Sequence, residues 1–278
     1  MKLSHAAKYL LPLCLVLPVP AFAQSRDALQ TAQHLVTACG LSVQLPGFVG
    51  QMKQQMAQQR GQVSAEVMVM LADAATEAFR ADVLEADIVA DLAKRLPPDE
   101  MNRVIAWLET PTGRRVTRAE EAASTMDSVA LQKFIEQMKS NSPAETRVSL
   151  IREVISATYV ESIIVRSMQA MALGMALGMD STLPVERRVG MARIEAMVKS
   201  ALPEDKLREQ LRASLPPTYL YTYRNVSDED LHGYVSFLST ATGQHYSEQT
   251  TEAFMGALVR ASVRLGKLVD QRTVKRSV

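Results

Sequence analysis

Four methionines at helical spacing are the first candidate in this sequence for binding an apolar ligand or a soft metal ion. They are Met168, Met171, Met175 and Met179, which fall on one face of a helix. Thioether sulfur is a soft ligand that can bind Cu(I), and flexible methionines can also line a groove for an apolar partner. A neighbouring stripe of small residues, Ala170, Gly174 and Gly178, favours instead a core helix packed closely against another helix. The sequence leaves these three interpretations open.

A second possible ligand pair is His245 with Glu248, which lie one helical turn apart. The pair could share a metal ion, but no third ligand follows at a readable spacing, so we predict a surface contact and no metal site. The sequence contains no zinc-protease, serine-hydrolase, P-loop or dinucleotide-binding motif. We therefore predict no cofactor and name no catalytic residue, and the sequence favours a protein that is not an enzyme. Scattered acidic residues leave paired-carboxylate catalysis open.

Two similar helix joints frame the organisation of the chain. In the first, "WLETPTGRRV", Trp107 ends a helix, Thr110 can cap the next one, and Pro111 takes its first position. Gly113 then leaves room for the preceding helix to cross close by. Met101, Val104, Ile105 and Leu108 follow the i, i+3, i+4, i+7 pattern of a buried helix face, as Val116, Ala119, Ala123 and Met126 do after the joint.

The second joint, "FLSTATGQHY", repeats the first at a constant offset of 130 residues. Phe237 takes the place of Trp107, while Thr240 and Gly243 are identical to their counterparts; only the proline changes, to Ala241. The glycine joints could bind an anion through exposed backbone N–H groups, with help from Arg114 and Arg115 in the first copy. The alternative, which we favour, is a tight helix corner in which the glycine is structural.

An upstream similarity has a different offset, 119 residues. The segment "LVTACGLSVQL" aligns with "VISATYVESII", so the second copy has about eleven extra residues, which we place in the loop-like segments "DSTLPVERR" and "SLPPTYLYTYRNV". The repeating unit exceeds 100 residues, which indicates a domain duplication. We predict a first helical domain over 24–141 and a second over 144–278, separated at the linker-like "SNSPAE".

The composition favours helices throughout. Alternating runs of Val, Ile, Thr and aromatic residues are almost absent, aromatic residues make up only 5%, and the 278 residues include 15 methionines. We therefore predict an all-α fold of two duplicated helical bundles.

The N-terminus predicts export. Lys2 and Lys8 precede an apolar run from Tyr9 to Val19, which ends in "AFA" with Ala23 as its last residue. This is the layout of a signal peptide over residues 1–23. Cleavage would leave 255 residues with a formal charge of −1, so charge does not favour nucleic acid. The run 168–179 is shorter than the roughly 20 residues of a membrane span, so we predict no transmembrane segment in the mature chain.

Cys39 is the only cysteine beyond the signal peptide, so the mature chain cannot form an internal disulfide. A buried thiol is the favoured interpretation, and pairing between two chains is the alternative. The C-terminal residues carry Arg264, Lys267, Arg272, Lys275 and Arg276. This basic end could contact anionic lipid or simply fray in solvent.

The joint motif resembles a bacterial exported family known as domain of unknown function 2059. The residues that carry the resemblance are Trp107, Thr110, Pro111 and Gly113, with Phe237, Thr240 and Gly243 in the second copy. The resemblance implies an all-helical fold in the Gram-negative envelope and supplies no catalytic residues. Because members typically hold one such domain, this chain resembles a tandem form.

These observations predict an exported periplasmic protein that acts as a non-catalytic binding or protein-interaction module of the cell envelope. A carrier of an apolar ligand or Cu(I), using the methionine-rich helix, is the alternative, and a hydrolase is a third. The expected partner is an envelope protein or an apolar ligand, and self-association is open.

Overall fold

The computed structural model of the chain describes residues 21–58, 65–126, 128–181 and 183–276, and in these ranges every regular element is helical. The predicted all-α fold is confirmed. The first half contains α1 (Ala21–Ala38), α2 (Leu41–Gln58), α3 (Ala65–Ala78), α4 (Ala81–Arg95), α5 (Pro98–Leu108), α6 (Pro111–Ala123) and α7 (Ser128–Ser140). The second contains α8 (Glu145–Ala157), α9 (Val160–Ser181), α10 (Met191–Ala201), α11 (Glu204–Thr222), α12 (Asp228–Leu238) and α13 (Ala241–Arg276), with a 3-10 turn at Val185–Arg187. The predicted signal peptide lies almost entirely outside the described residues.

The main core is built by both halves of the chain. Leu35, Leu84 and Ile88 of the first half pack in one cluster with Leu258 and Leu265 of α13. All five are nearly inaccessible to solvent. The long helix α13 packs against α9 of its own half and against α3, α4 and α5 of the first half. A helix from one half therefore completes the core of the other.

A smaller core lies mainly in the second half. Ile151 and Val154 of α8, Leu215 of α11 and Leu231 of α12 form this cluster together with Val116 of α6. Here a first-half helix contributes to a second-half core, which is the reverse of the arrangement around α13. The two halves therefore share their cores, because each cluster contains apolar side chains from both halves. The predicted domain boundary near residues 141–144 lies between α7 and α8, and the division into two domains stays a prediction.

The helix ends fall at the two offsets seen in the sequence. Helices α1 and α8 end at Ala38 and Ala157, and α2 and α9 begin at Leu41 and Val160, each pair 119 residues apart. Helices α5 and α12, and the starts of α6 and α13, are 130 residues apart. The duplication itself stays a prediction.

The turn between the first two helices of each half contains, at the corresponding position, a residue in the left-handed backbone conformation. Gly40 has φ +76° and Tyr159, 119 residues later, has φ +55°. Glycine adopts this conformation freely, whereas a tyrosine there is strained. The turn between α8 and α9 therefore keeps the left-handed backbone geometry, although it has a tyrosine where the first half has the better-suited glycine.

One segment that the sequence assigned to a loop is helical. Most of "SLPPTYLYTYRNV" belongs to α11, which contains Pro216 and Pro217 in its interior. Two prolines remove two backbone hydrogen bonds and strongly disfavour an isolated helix. Leu215 and Leu220 are buried, as is Tyr223 just after the helix, and this packing offsets the loss. The tertiary contacts thus override the local propensity.

Helix α9 contains the methionine-rich run and is longer than the run alone indicated. With 22 residues and a mean hydropathy of 1.3 in its most apolar window, it is long and apolar enough to cross a membrane, by length and composition only. Core helices of soluble proteins pass the same test. Gly174 and Gly178 are buried, and a side chain at either position would meet Ser262 or Val269 of α13. The small-residue stripe therefore faces another helix, as the core interpretation predicted.

Candidate functional site

A cavity of about 510 Å³ lies between helices of the two halves. Its walls come from α2, α6, α9, α11, α12 and α13. Most of the lining is apolar, and it includes Leu41, Leu45, Phe48, Ile163, Leu238 and Phe254. Ligand pockets in proteins typically have volumes of about 300–1,000 Å³, apolar walls and a few polar groups at fixed positions. This cavity has the size and lining of a small-molecule site.

Among the residues that the structure describes, Glu120 is the only acidic side chain that lines the cavity. It lies on α6, which begins at Pro111 after the Thr110 cap. Together with Val116 it faces inward, because residues four apart share one face of a helix. Its Oε1 accepts hydrogen bonds from the hydroxyls of Tyr223, at 2.6 Å, and Tyr234, at 3.1 Å. Two hydroxyl groups, one from the residue after α11 and one from α12, therefore hold a first-half carboxyl group in place.

Burial decides the charge state of this carboxyl group. Removal from water disfavours the ionised form and raises the pKa of Glu120 to about 7, although the hydrogen bonds from Tyr223 and Tyr234 lower it. Glu121 raises it further. No cationic side chain in the described part of the chain pairs with Glu120. The group is therefore poised between its neutral and charged forms near neutral pH.

Tyrosine side chains surround the carboxyl group. Burial, followed by the charge of Glu120, raises the pKa values of Tyr219, Tyr223 and Tyr234 above the usual value for tyrosine. These hydroxyls are therefore neutral and remain hydrogen-bond donors. Tyr246 also lines the cavity, and burial raises its pKa as well.

The thiol of Cys39 lies beside this tyrosine cluster. It is 8% exposed, in agreement with the interpretation as a buried thiol, and its Sγ donates to the carbonyl oxygen of Val36 at 3.5 Å. Burial raises the pKa of Cys39 to about 11, and hydrogen bonding with Tyr246 opposes that rise. A thiol with this pKa is neutral at pH 7 and a weak nucleophile.

The two joint motifs meet behind the cavity. The Trp107 and Phe237 rings stack with centroids 4.2 Å apart and an angle of 8°, and the Tyr234 ring also stacks with Trp107, at 5.7 Å. In each joint the threonine hydroxyl donates to the aromatic residue's carbonyl oxygen at 2.7 Å. The hydroxyls of Thr110 and Thr240 in turn accept from the N–H groups of the glycines. The predicted caps are present in both joints.

The joint glycines are sterically required. A Cβ atom on Gly113 would lie 2.4 Å from the carbonyl oxygen of Trp107, and one on Gly243 would lie 2.1 Å from that of Phe237. Backbone atoms at such distances cannot move aside cheaply. The geometry therefore fits the tight helix corner that the sequence analysis favoured.

Arg115 and His245, which the anion and metal alternatives used, have other partners. Arg115 binds both carboxylate oxygens of Asp230, at 2.6 and 2.7 Å, and the hydroxyl of Thr112 donates to the same carboxylate. His245 lies 2.8 Å from Glu100 rather than pairing with Glu248. The two pairs occupy corresponding positions, because Arg115 and His245 are 130 residues apart and so are Glu100 and Asp230. Each pair joins the joint of one half to the opposite half.

The methionine-rich helix does not form one exposed groove. Met171 and Met175 are partly buried against the main core, whereas Met168 and Met179 are 40% and 39% exposed. The four methionines thus divide between interior and surface. The structure gives more support to packing than to a methionine-lined ligand site.

The basic C-terminal part of α13 is engaged with the first half. Arg264 pairs with Asp87 and Arg272 with Glu77, at 2.8 and 2.7 Å. These contacts use two of the cations that the lipid-contact alternative needed.

A second concavity, of about 530 Å³, has a different character. It contains Arg152, Arg208 and Arg212 near the α8–α9 joint. Arg208 already pairs with Glu204 at 2.6 Å, and Arg152 with Glu145 at 3.4 Å. Because two of the three arginines have carboxylate partners, this site is a weaker candidate than the cavity around Glu120.

The first joint and the α6 part of the cavity wall lie in a segment with a family match. Residues 82–140 match the family described as "Uncharacterized protein conserved in bacteria (DUF2059)". The chain carries a domain of this family. The matched segment runs from α4 to the end of α7 and includes Trp107, Gly113 and Glu120. No curated protein and no solved structure matches the chain.

Sequence reasoning identified the joints and missed the cavity. Glu120 is one of 30 acidic residues and stands next to Glu121, so its residue type alone did not mark it as a site residue. A signal was present, because Val116, Glu120 and Ala123 have the i, i+4, i+7 spacing of one helix face. An acidic residue inside an otherwise apolar stripe indicates a buried carboxyl group.

Proposed function

We propose that this DUF2059-domain protein binds an apolar small molecule in the cavity around Glu120. The observation that carries the proposal is an apolar cavity of about 510 Å³ that contains a single carboxyl group held by two tyrosine hydroxyls. An apolar wall favours ligand burial in proportion to the apolar area removed from water. The carboxyl group would fix the orientation of the ligand's polar end.

The proposal changes the location of the carrier function that the sequence suggested. The methionine-rich helix contributes no methionine to the cavity lining; α9 contributes Val160 and Ile163 instead. The methionine that lines the cavity is Met126, next to α6. A binding role is retained, and its site moves from the α9 methionines to the interface between the halves.

The export of the protein is part of the same proposal. The signal-peptide pattern of residues 1–23 supports a periplasmic location, where a carrier of an apolar molecule would be useful because such molecules dissolve poorly in water. No partner protein is required for this function. Self-association stays open.

Native mass spectrometry tests the proposal on the protein purified from the periplasm of the bacterium that encodes it. A bound small molecule should appear as a discrete mass increment that organic extraction removes. The matched control is the same protein after extraction and refolding, which should lack the increment and regain it with periplasmic extract. A chain that never carries a small molecule, and instead copurifies with a stoichiometric protein, would favour the interaction module over the carrier.

An acid–base enzyme is the second candidate, and Glu120 is the observation that favours it. A carboxyl group with a pKa of about 7 in a cavity is suited to transfer protons near neutral pH. The other polar groups of the lining are hydroxyls and amides rather than a second ionisable acid or base, apart from the tyrosines. Chemical change of the extracted ligand during incubation with the protein, lost in Glu120→Gln, would indicate the enzyme.

A further inference from the structure

We infer that the ligand of this cavity is an amphiphilic cation, with an ammonium group against Glu120 and an apolar chain along the cavity wall. This inference rests on the proposed binding function and names the class of its ligand. It is carried by two observations: a cavity carboxyl group without a cationic partner, and aromatic rings around it.

The missing counter-charge is the first observation. Three other buried or half-buried carboxylates that contact the opposite half have arginine partners: Asp230 has Arg115, and Asp87 and Asp91 have Arg260. Glu120 has only hydroxyl donors in the described part of the chain. A charge removed from water is costly unless it is paired, so a ligand cation would supply what the protein does not.

The position of the hydroxyl donors also favours a cation. Both tyrosine hydroxyls donate to the same oxygen, Oε1 of Glu120, and no hydrogen bond to Oε2 is seen among the described residues. Oε2 therefore remains as an acceptor for the ligand. An ammonium group provides both a positive charge and, in a primary amine, N–H donors for such an oxygen.

The aromatic rings are the second observation. Tyr219, Tyr223, Tyr234 and Tyr246 line the cavity together with Phe48 and Phe254. Phe48 and Phe254 meet edge to face with centroids 5.4 Å apart, and Tyr219 and Tyr223 at 5.8 Å. Aromatic faces attract ammonium groups, and cages of such rings are a common way to recognise quaternary ammonium ligands. A carboxylate ligand would gain nothing from these faces and would be repelled by Glu120.

The charged and titratable groups around Glu120 also favour a cationic ligand over an anionic one. The groups that act on Glu120 are tyrosines from α11, α12 and α13, and Glu121 on α6 itself. Cys39 adds a neutral thiol from the end of α1. None of these groups carries a positive charge, so an anionic ligand has no partner on the described side chains around Glu120.

Calorimetric titration with three ligands of equal chain length tests the inference: decyltrimethylammonium, decanol and decanoate, each below its micelle concentration. The cation should bind more tightly than decanol, and decanoate more weakly. Because the cation needs ionised Glu120, its apparent affinity should fall about 30-fold between about pH 8 and about pH 5.5, as expected for a pKa of about 7. Decanol binding should change little over the same range.

Glu120→Gln and Glu121→Gln provide the matched pair of variants. Glu120→Gln should remove the preference for the cation and its pH dependence while retaining decanol binding, which shows that the cavity is intact. Glu121→Gln should behave as wild type. Equal binding of the cation and decanoate by the wild type, or an unchanged preference in Glu120→Gln, would overturn the inference but not the proposed function. Failure of all three ligands to bind would overturn the proposed function itself.

Discussion

The rings of Trp107 and Phe237 stack on each other with centroids 4.2 Å apart, although the residues lie 130 positions apart in the sequence. Each occupies the same place in its joint, before a Thr-x-x-Gly segment. Around this stack the polar contacts of the joints also cross between halves: Arg115 with Asp230, and His245 with Glu100. The corresponding elements therefore contact each other in a reciprocal way, as the two subunits of a symmetric dimer do.

The aromatic stack should contribute measurably to folding. Phe237 is 8% exposed, so Phe237→Ala should lower the free energy of unfolding by about 3–5 kcal/mol. In a double-mutant cycle with Trp107→Ala, the coupling should be about 0.5–1.5 kcal/mol, the usual value for an aromatic pair. Urea denaturation followed by circular dichroism measures both values. Additive effects of the two substitutions would show that the stack itself contributes nothing.

The joint glycines should tolerate no side chain. Gly113→Ala and Gly243→Ala place a Cβ atom against a carbonyl oxygen, and strain of this kind costs about 1–3 kcal/mol. Gly266→Ala in α13 is the matched control, because no atom lies within 4 Å of its Cβ position. The control should be stabilised by about 0.5–1 kcal/mol, since alanine is the better helix former. If all three variants melt at higher temperature than wild type, the joints are not close crossings.

The Arg115–Asp230 pair should make stability depend on pH in the acid range. Hydrogen bonding to Arg115 is the main factor that lowers the pKa of Asp230 below its usual range. A lowered carboxyl pKa stabilises the fold above the unfolded-state value of about 3.9, and this stabilisation is lost as pH falls through the folded-state value. Arg115→Ala should therefore be less stable than wild type at pH 7, and the difference should shrink below about pH 4.

Arg114→Ala is the control for this prediction, because Arg114 is exposed and no ion pair of it is seen among the described residues. Its melting temperature should match that of wild type at both pH values. The contact with Asp230 therefore distinguishes Arg115, whose removal should destabilise the fold, from its neighbour Arg114. A sulfate-induced stabilisation of wild type that disappears in Arg114→Ala would instead support an anion site at the joint.

The shared core predicts that the halves stay together after cleavage. A specific protease site inserted after Ser142 should be cut readily, because Asn141, Ser142 and Ala144 are exposed. The fragments should nevertheless elute as one complex in size-exclusion chromatography, since α13 packs against α3, α4 and α5. Two fragments that elute separately, each folded, would restore the picture of independent domains.

The local features of the fold were predictable from sequence because they depend on neighbouring residues. The caps at Thr110 and Thr240 and the helix starts that follow them have clear signals within a few residues. The partners across the fold were not predictable, because nothing near Trp107 indicates that Phe237 lies on its ring. The same limit explains why the shared core was not predicted, since periodicity shows which face of α13 is apolar but not which helices cover it.

The cavity was less predictable still. Its carboxyl group comes from α6 and its hydroxyl donors from the C-terminal end of α11 and from α12, so no continuous segment contains the site. The segment with Tyr219 and Tyr223 also contains two consecutive prolines, which indicated a loop. Only the packing of α11 brings these tyrosines to Glu120.

Binding of the neutral fluorescent amine N-phenyl-1-naphthylamine to wild type, Val160→Phe and Val259→Phe tests the central claim most directly. Val160 lines the cavity, whereas Val259 lies on α13 at 53% exposure and outside the lining, so the same substitution fills the cavity in one variant and not in the other. The account predicts saturable fluorescence enhancement with one site in wild type and Val259→Phe, and at least about tenfold weaker binding in a folded Val160→Phe, a change of about 1.4 kcal/mol. Equal binding by all three proteins, or binding by none, would contradict a ligand site in this cavity.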